Sequence, residues 1–125
     1  MKPDTSSPEA FGQQAKAILG TNYWGLKNVI TGLQDIFTPG ARLVNMSSHL
    51  GHLSMINGEA KHSLQLREML ADTDLTEKNL DSLMKQFETL AGQGGWNAAG
   101  WPSCAYTVSK VCPLHKCRYT PKLYI

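Results

Sequence analysis

From Glu9 to about Phe37 the apolar residues recur every three or four positions. Phe11, Ala15, Ile18 and Leu19 share one stripe, and Tyr23, Leu26, Ile30, Leu33 and Phe37 continue it. That period predicts a long amphipathic helix. Asn22 interrupts it between Gly20 and Gly25, which predicts a local distortion of the helix. Thr38-Pro39-Gly40 is a stop and a turn. Ala41-Arg42-Leu43-Val44-Asn45-Met46 is short, with a Leu-Val centre, and predicts a strand. Ser47-Ser48 close it, and His49-Leu50-Gly51-His52 begin a loop. A long helix, a strand and a polar loop in that order make a piece of an α/β unit.

Residues 57–100 form an excursion from that unit. One helical stretch is expected from about Lys61 to Leu70. A second follows Thr76 and places Leu80, Leu83, Met84, Phe87, Leu90 and Ala91 on one face, until Gly92-Gln93-Gly94-Gly95 ends it. The Met and Phe of that stripe read as packing residues. Ser103 is placed to cap a last helix carrying Tyr106, Ser109 and Lys110, which Pro113 should interrupt.

Composition changes this picture little. The 125 residues are 42% apolar and 18% charged, as in ordinary globular chains, which argues against a disordered or collagen-like protein. No apolar run is long enough to span a bilayer, and Met1 to Pro8 lacks a signal peptide's apolar centre. Three cysteines do not make a disulfide framework, so a soluble, cytoplasmic chain is expected. The net charge of +2 is unevenly placed. Residues 1–110 carry nine basic and ten acidic side chains, whereas residues 111–125 add Lys116, Arg118 and Lys122 with no acid. A body near neutrality gives no electrostatic basis for nucleic-acid binding.

Two residues could carry proton chemistry. Tyr106 and Lys110 stand four apart, about 6 Å of rise and about 400° of rotation on a helix, so both side chains leave one face. A cation beside a phenol favours the phenolate and makes the hydroxyl a usable proton donor or acceptor. On its own the spacing is equally that of a half-exposed surface pair. Ser48, at the carboxyl end of the expected strand, sits where α/β sheets present ligand-binding groups, although a local turn hydrogen bond would also use it. Asn22 is either an exposed polar residue or the fourth member of an ordered set of Asn, Ser, Tyr and Lys.

Thr21-Asn22-Tyr23-Trp24-Gly25, Arg42-Leu43-Val44-Asn45-Met46-Ser47-Ser48 and Tyr106-x-x-x-Lys110 together resemble the middle of a short-chain dehydrogenase/reductase. The similarity is greatest to the animal cytosolic NADPH-dependent carbonyl reductases. It includes the helical insertion with Leu83-Met84-Lys85-Gln86-Phe87, and Gly100-Trp101-Pro102-Ser103-Cys104-Ala105 leading into Tyr106. The resemblance implies an α/β fold, the central fragment of a Rossmann-type doubly wound parallel sheet, mostly helical over the residues encoded here. A partial domain would occupy residues 1–110, with its insertion at about 57–100, and residues 111–125 would be an unrelated basic tail.

It also implies roles. Tyr106 would protonate a small-molecule carbonyl substrate (a ketone, aldehyde or quinone) as hydride arrives from NADPH. Lys110 would favour its phenolate and bind the nicotinamide ribose. Asn22 would hold the helix distortion and a water linked to the lysine, which makes Asn22, Tyr106 and Lys110 the cofactor-binding residues. Ser48 would hydrogen-bond the carbonyl oxygen, and His49 with Ser48 and Tyr106 would border the substrate. The insertion would cover the surface that relatives use to oligomerise, giving a monomer. The family's Gly-rich phosphate-binding turn does not occur in these residues, so an inactive chain lacking the cofactor-binding half is the alternative. In the tail, Cys112, His115 and Cys117 are three soft ligands where Zn²⁺ takes four, in spacings of no known zinc module, and no metal is expected.

Overall fold

The structure, a computed structural model, describes residues 4–116, with side chains as far as Val111. Its elements are α1 (Pro8–Leu19), a π-helical turn (Gly20–Gly25), α2 (Leu26–Leu33) running into a short 3₁₀ turn, two further 3₁₀ turns at His49–Gly51 and Leu53–Met55, α3 (Lys61–Ala71), α4 (Glu77–Gln93) and α5 (Ala105–Lys116). Residues 117–125, and the side chains of Cys112 and His115, lie outside what is described, and with them the expected basic tail and its three soft ligands.

The helix ends follow from local chemistry. The Ser7 hydroxyl accepts from the Ala10 N–H at 3.1 Å, with Pro8 at the first helical position of α1. Thr76 caps α4 through the Asn79 N–H at 3.2 Å. Gly94 ends α4 at φ +78°, and its N–H returns to the Leu90 carbonyl. Ser103 does not cap α5 as expected. That helix begins one residue further on, with the Val108 N–H bonded to the Cys104 carbonyl, and the Ser103 hydroxyl accepts from the Trp96 indole N–H instead. Nor does Pro113 stop α5, which continues to Lys116. Proline removes one intrahelical bond, but Ala105, Val108 and Val111 anchor the helix by packing in the core.

The core forms where α4 lies along α1. Phe11, Ala15 and Leu19 meet Leu80, Met84, Phe87 and Ala91, all fully or almost fully buried. Phe11 stands edge-on to Phe87 with ring centroids 6.2 Å apart, and Trp101 closes the far side of Phe87 at 5.2 Å. The two helices touch at Gly12, where an added Cβ would fall 2.6 Å from the Gly92 Cα. On the solvent side of this seam the Tyr23 hydroxyl donates to Asp81 at 2.7 Å, the Trp24 indole to Glu88 at 2.9 Å, and Lys27 pairs with both Asp81 and Glu77. The helical excursion thus covers one flank of the first helix. No helix among the described residues is long and apolar enough to cross a membrane.

The expected strand at 41–46 does not form, and no strand occurs among the described residues. Strands exist through hydrogen bonds to neighbours, and no other described segment runs alongside. The alternation survives without the ladder. Leu43 and Asn45 turn inward and are half-buried, whereas Val44 and Met46 are 73% and 81% exposed. α2 likewise buries none of its residues, leaving Val29 and Leu33 in solvent.

Burial opposes the charge of Lys27, but its hydrogen bonds to Asp81 and Glu77 outweigh that and hold its ammonium above the usual lysine range. The stability from this pair is therefore fully present below the ordinary lysine pKa and is lost as pH rises through the elevated value. Asp81→Asn should lower the Lys27 midpoint, read by heteronuclear NMR of the lysine side chain. An unchanged midpoint would rule out Asp81 as its cause.

Candidate active site

Tyr106 and Lys110 project from the first two turns of α5. Ala105, Val108 and Ser109 on the same turns are buried, so the tyrosine and lysine are left half-buried on the other side of the helix. The Lys110 ammonium lies 5.6 Å from the centre of the Tyr106 ring and donates to the Met46 carbonyl at 3.3 Å. Cation and phenol therefore share one face, as their spacing requires.

Asn22 comes from the π-helical turn. Thr21 donates to the Ala17 carbonyl at 3.2 Å, and Gly25 is held so close to Gly20 that an added Cβ would sit 3.0 Å from its carbonyl oxygen. The widened turn directs Asn22 toward α5, where its amide Nδ2 donates to Ser109 Oγ at 3.0 Å. Ser109 in turn donates to the Tyr106 carbonyl at 2.7 Å. Residues 87 apart in sequence are thereby joined beside the Tyr106–Lys110 pair.

Ser48 is held differently. It precedes the 3₁₀ turn His49–Gly51, and its hydroxyl oxygen accepts from the Leu50 N–H at 3.2 Å, which leaves its proton for another acceptor. That turn packs against α5 so closely that a Cβ on Gly51 would fall 2.8 Å from the Lys110 carbonyl. No hydrogen bond joins Ser48 to Tyr106. His49 is exposed, with its ring edge-on to His52 at 5.3 Å. An open cavity of about 470 Å³ lies alongside, lined by Thr21, Asn22, Val29, Val44, Met46 and Lys110 among others.

The structure thus brings Asn22, Tyr106 and Lys110 into one neighbourhood; of the expected site residues Asn22 and Lys110 line the cavity, whereas Ser48, His49 and Tyr106 are not among its lining residues. Ser109, placed by its sequence on the same helix as Tyr106 and Lys110, takes a part at the site that was not expected of it, as does the Met46 carbonyl. A serine one position before the lysine was the only available signal for the first, and a main-chain acceptor leaves none.

Comparison with known proteins gives relatives along most of the chain. It is 32% identical over 107 residues to carbonyl reductase [NADPH] 1 of Bos taurus, 86% of this chain and 37% of that protein. It is 38% identical over 104 residues to carbonyl reductase [NADPH] 3 of Rattus norvegicus, 83% of this chain and 36% of that one. Short-chain dehydrogenase/reductase 1 of Saponaria officinalis matches at 37% over 101 residues, 77% of this chain and 32% of that protein. No family model matches. The chain spans little more than a third of the length of the curated relatives it matches. Those relatives imply a Rossmann-type α/β fold; the described residues hold helices and no strand.

Gly51→Ala should separate the His49–Gly51 turn from α5 and lower stability by about 1–3 kcal/mol, the usual cost of forcing atoms into a packed contact. Urea unfolding followed by circular dichroism measures this, and an unchanged midpoint would mean the turn is not seated on Lys110.

Proposed function

We propose, for a chain related in sequence to the carbonyl reductases among the short-chain dehydrogenase/reductases, that it carries the catalytic residues of an NADPH-dependent reduction of small carbonyl compounds such as ketones, aldehydes and quinones. The observation that carries this reading is the Lys110 ammonium beside the Tyr106 ring at the edge of a cavity that Asn22 also lines. When bound, NADPH supplies the hydride that a carbonyl carbon takes. Tyr106 gives its phenolic proton to the carbonyl oxygen, and the charge of Lys110 favours the phenolate left behind. The proton of Ser48, not used by its bond to Leu50, is free to donate to that same oxygen and steady its developing charge.

The residues present suit one end of the cofactor. Lys110 and Asn22 offer an ammonium and an amide at the cavity wall, donors fitted to ribose hydroxyls. No Gly-rich turn of the kind that seats a pyrophosphate opens a helix among the described residues. We read the protein as cytoplasmic and monomeric, the latter supported by α4 lying over the flank of α1.

A second reading, a chain without catalytic activity of its own, is favoured by one observation. Among the described residues the segment 41–46 has no strand partner, and Val44 and Met46 are exposed and line the cavity with Lys110.

Two outcomes test these readings. The 125-residue chain alone should give no saturable enhancement of NADPH fluorescence at micromolar cofactor, and such enhancement would overturn the expectation that this chain alone does not hold the cofactor. In a chain extended by the flanking segments its relatives possess, Tyr106→Phe should lower carbonyl turnover by about 10²–10⁴-fold with NADPH binding retained. Unchanged turnover would remove Tyr106 from the chemistry.

A further inference from the structure

Ser109 is fully buried, yet it sits between two half-buried members of the candidate site. Its hydroxyl has one proton, and the 2.7 Å contact commits that proton to the Tyr106 carbonyl. The oxygen's lone pairs then face Asn22, whose amide must donate at 3.0 Å. The direction of the whole chain of bonds, from Asn22 to Ser109 to Tyr106, is fixed by this one hydroxyl. Asn22 belongs to a π-helical turn, a rare conformation set between the α-helices on either side. Among the described residues this is the side-chain bond by which Asn22 links that turn to α5.

We propose that Ser109 is a positioning residue: through its buried hydroxyl it holds the Asn22 amide of the π-turn against the first turn of α5, and so sets Asn22 relative to Tyr106 and Lys110. Its importance for reduction rests on the function proposed above, but the geometry it sets is measurable without cofactor or substrate. Removing the hydroxyl leaves the Asn22 amide without its protein partner. Because Asn22 is half-buried, water can take that place, so the cost falls on orientation more than on stability.

The test uses the 125-residue chain and NMR of the asparagine side-chain amides. In the parent protein the Asn22 amide protons should exchange slowly. Ser109→Ala should speed their exchange about tenfold, the equivalent of ~1.4 kcal/mol for one hydrogen bond, with the helical circular dichroism kept. Ser109→Thr, which retains the hydroxyl, should restore the protection. Exchange as fast in the parent as in Ser109→Ala, or no recovery in a folded Ser109→Thr, would overturn the proposal. Should Ser109→Ala not fold, Asn22→Ala reports from the other end. It should shift the backbone signals of Ser109 and Lys110 and leave Phe87 in place, and signals that stay still would overturn it equally. Failure to bind NADPH in any variant bears on the function proposed above and leaves these readouts intact.

Discussion

The close contact between α1 and α4 is the constraint from which the other positions follow. Gly12 lets the backbone of α1 approach Gly92 of α4 to a distance that a side chain at position 12 would not permit, and Phe11, Phe87 and Trp101 pack beside that contact. With α1 held there, the turn that follows it emerges at a fixed point beside α5. Tyr23 and Lys27, tied to Asp81, fasten that turn from outside. Asn22, tied to Ser109, fastens it from inside. The excursion between the expected strand and Tyr106 therefore does more than cover a helix. It is one half of the clamp on the segment that presents Asn22.

Two kinds of interaction divide the work at the candidate site. Apolar packing of Ala105, Val108 and Val111 places α5 as a body. Directional bonds then orient what α5 and its neighbours present: Lys110 toward the Met46 carbonyl, Ser109 toward Asn22, and Ser48 toward the Leu50 N–H. Among the described residues no buried side-chain nitrogen or oxygen lacks a hydrogen-bond partner. That agrees with the cost of leaving such atoms unpaired.

The helices were legible because their signals are local. The apolar period set the faces of α1 and α4, the stretch from about Lys61 to Leu70 marked α3, Thr76 marked the start of α4, and the glycines at 92–95 marked its end. The distortion at Asn22 was legible too, as a polar residue between two glycines, though not its π-helical form. What failed depends on distant partners. The segment 41–46 has a strand's pattern, but a strand is a property of at least two segments. Ser103 has the chemistry of a cap, but Trp96 claims its hydroxyl. Pro113 reads as a stop because helix propensity ignores the core that holds α5. Tyr106, Lys110 and Asn22 could be named from their order, while Ser109 could not, because its partner lies 87 residues earlier.

The π-turn also has a rotational effect. In an α-helix each residue advances about 100° around the axis, so one additional residue in a turn re-aims everything after it by about that angle. Phe11, Ala15 and Leu19 before the turn look into the core, whereas α2 beyond it buries nothing, and its Val29 looks onto the cavity beside Lys110. One nearly continuous helical run thus serves two surfaces that lie in different directions. Restoring an unbroken α-helical phase through Gly20–Gly25 would swing the apolar side of α2 away from that cavity and carry Asn22 off its bearing on α5.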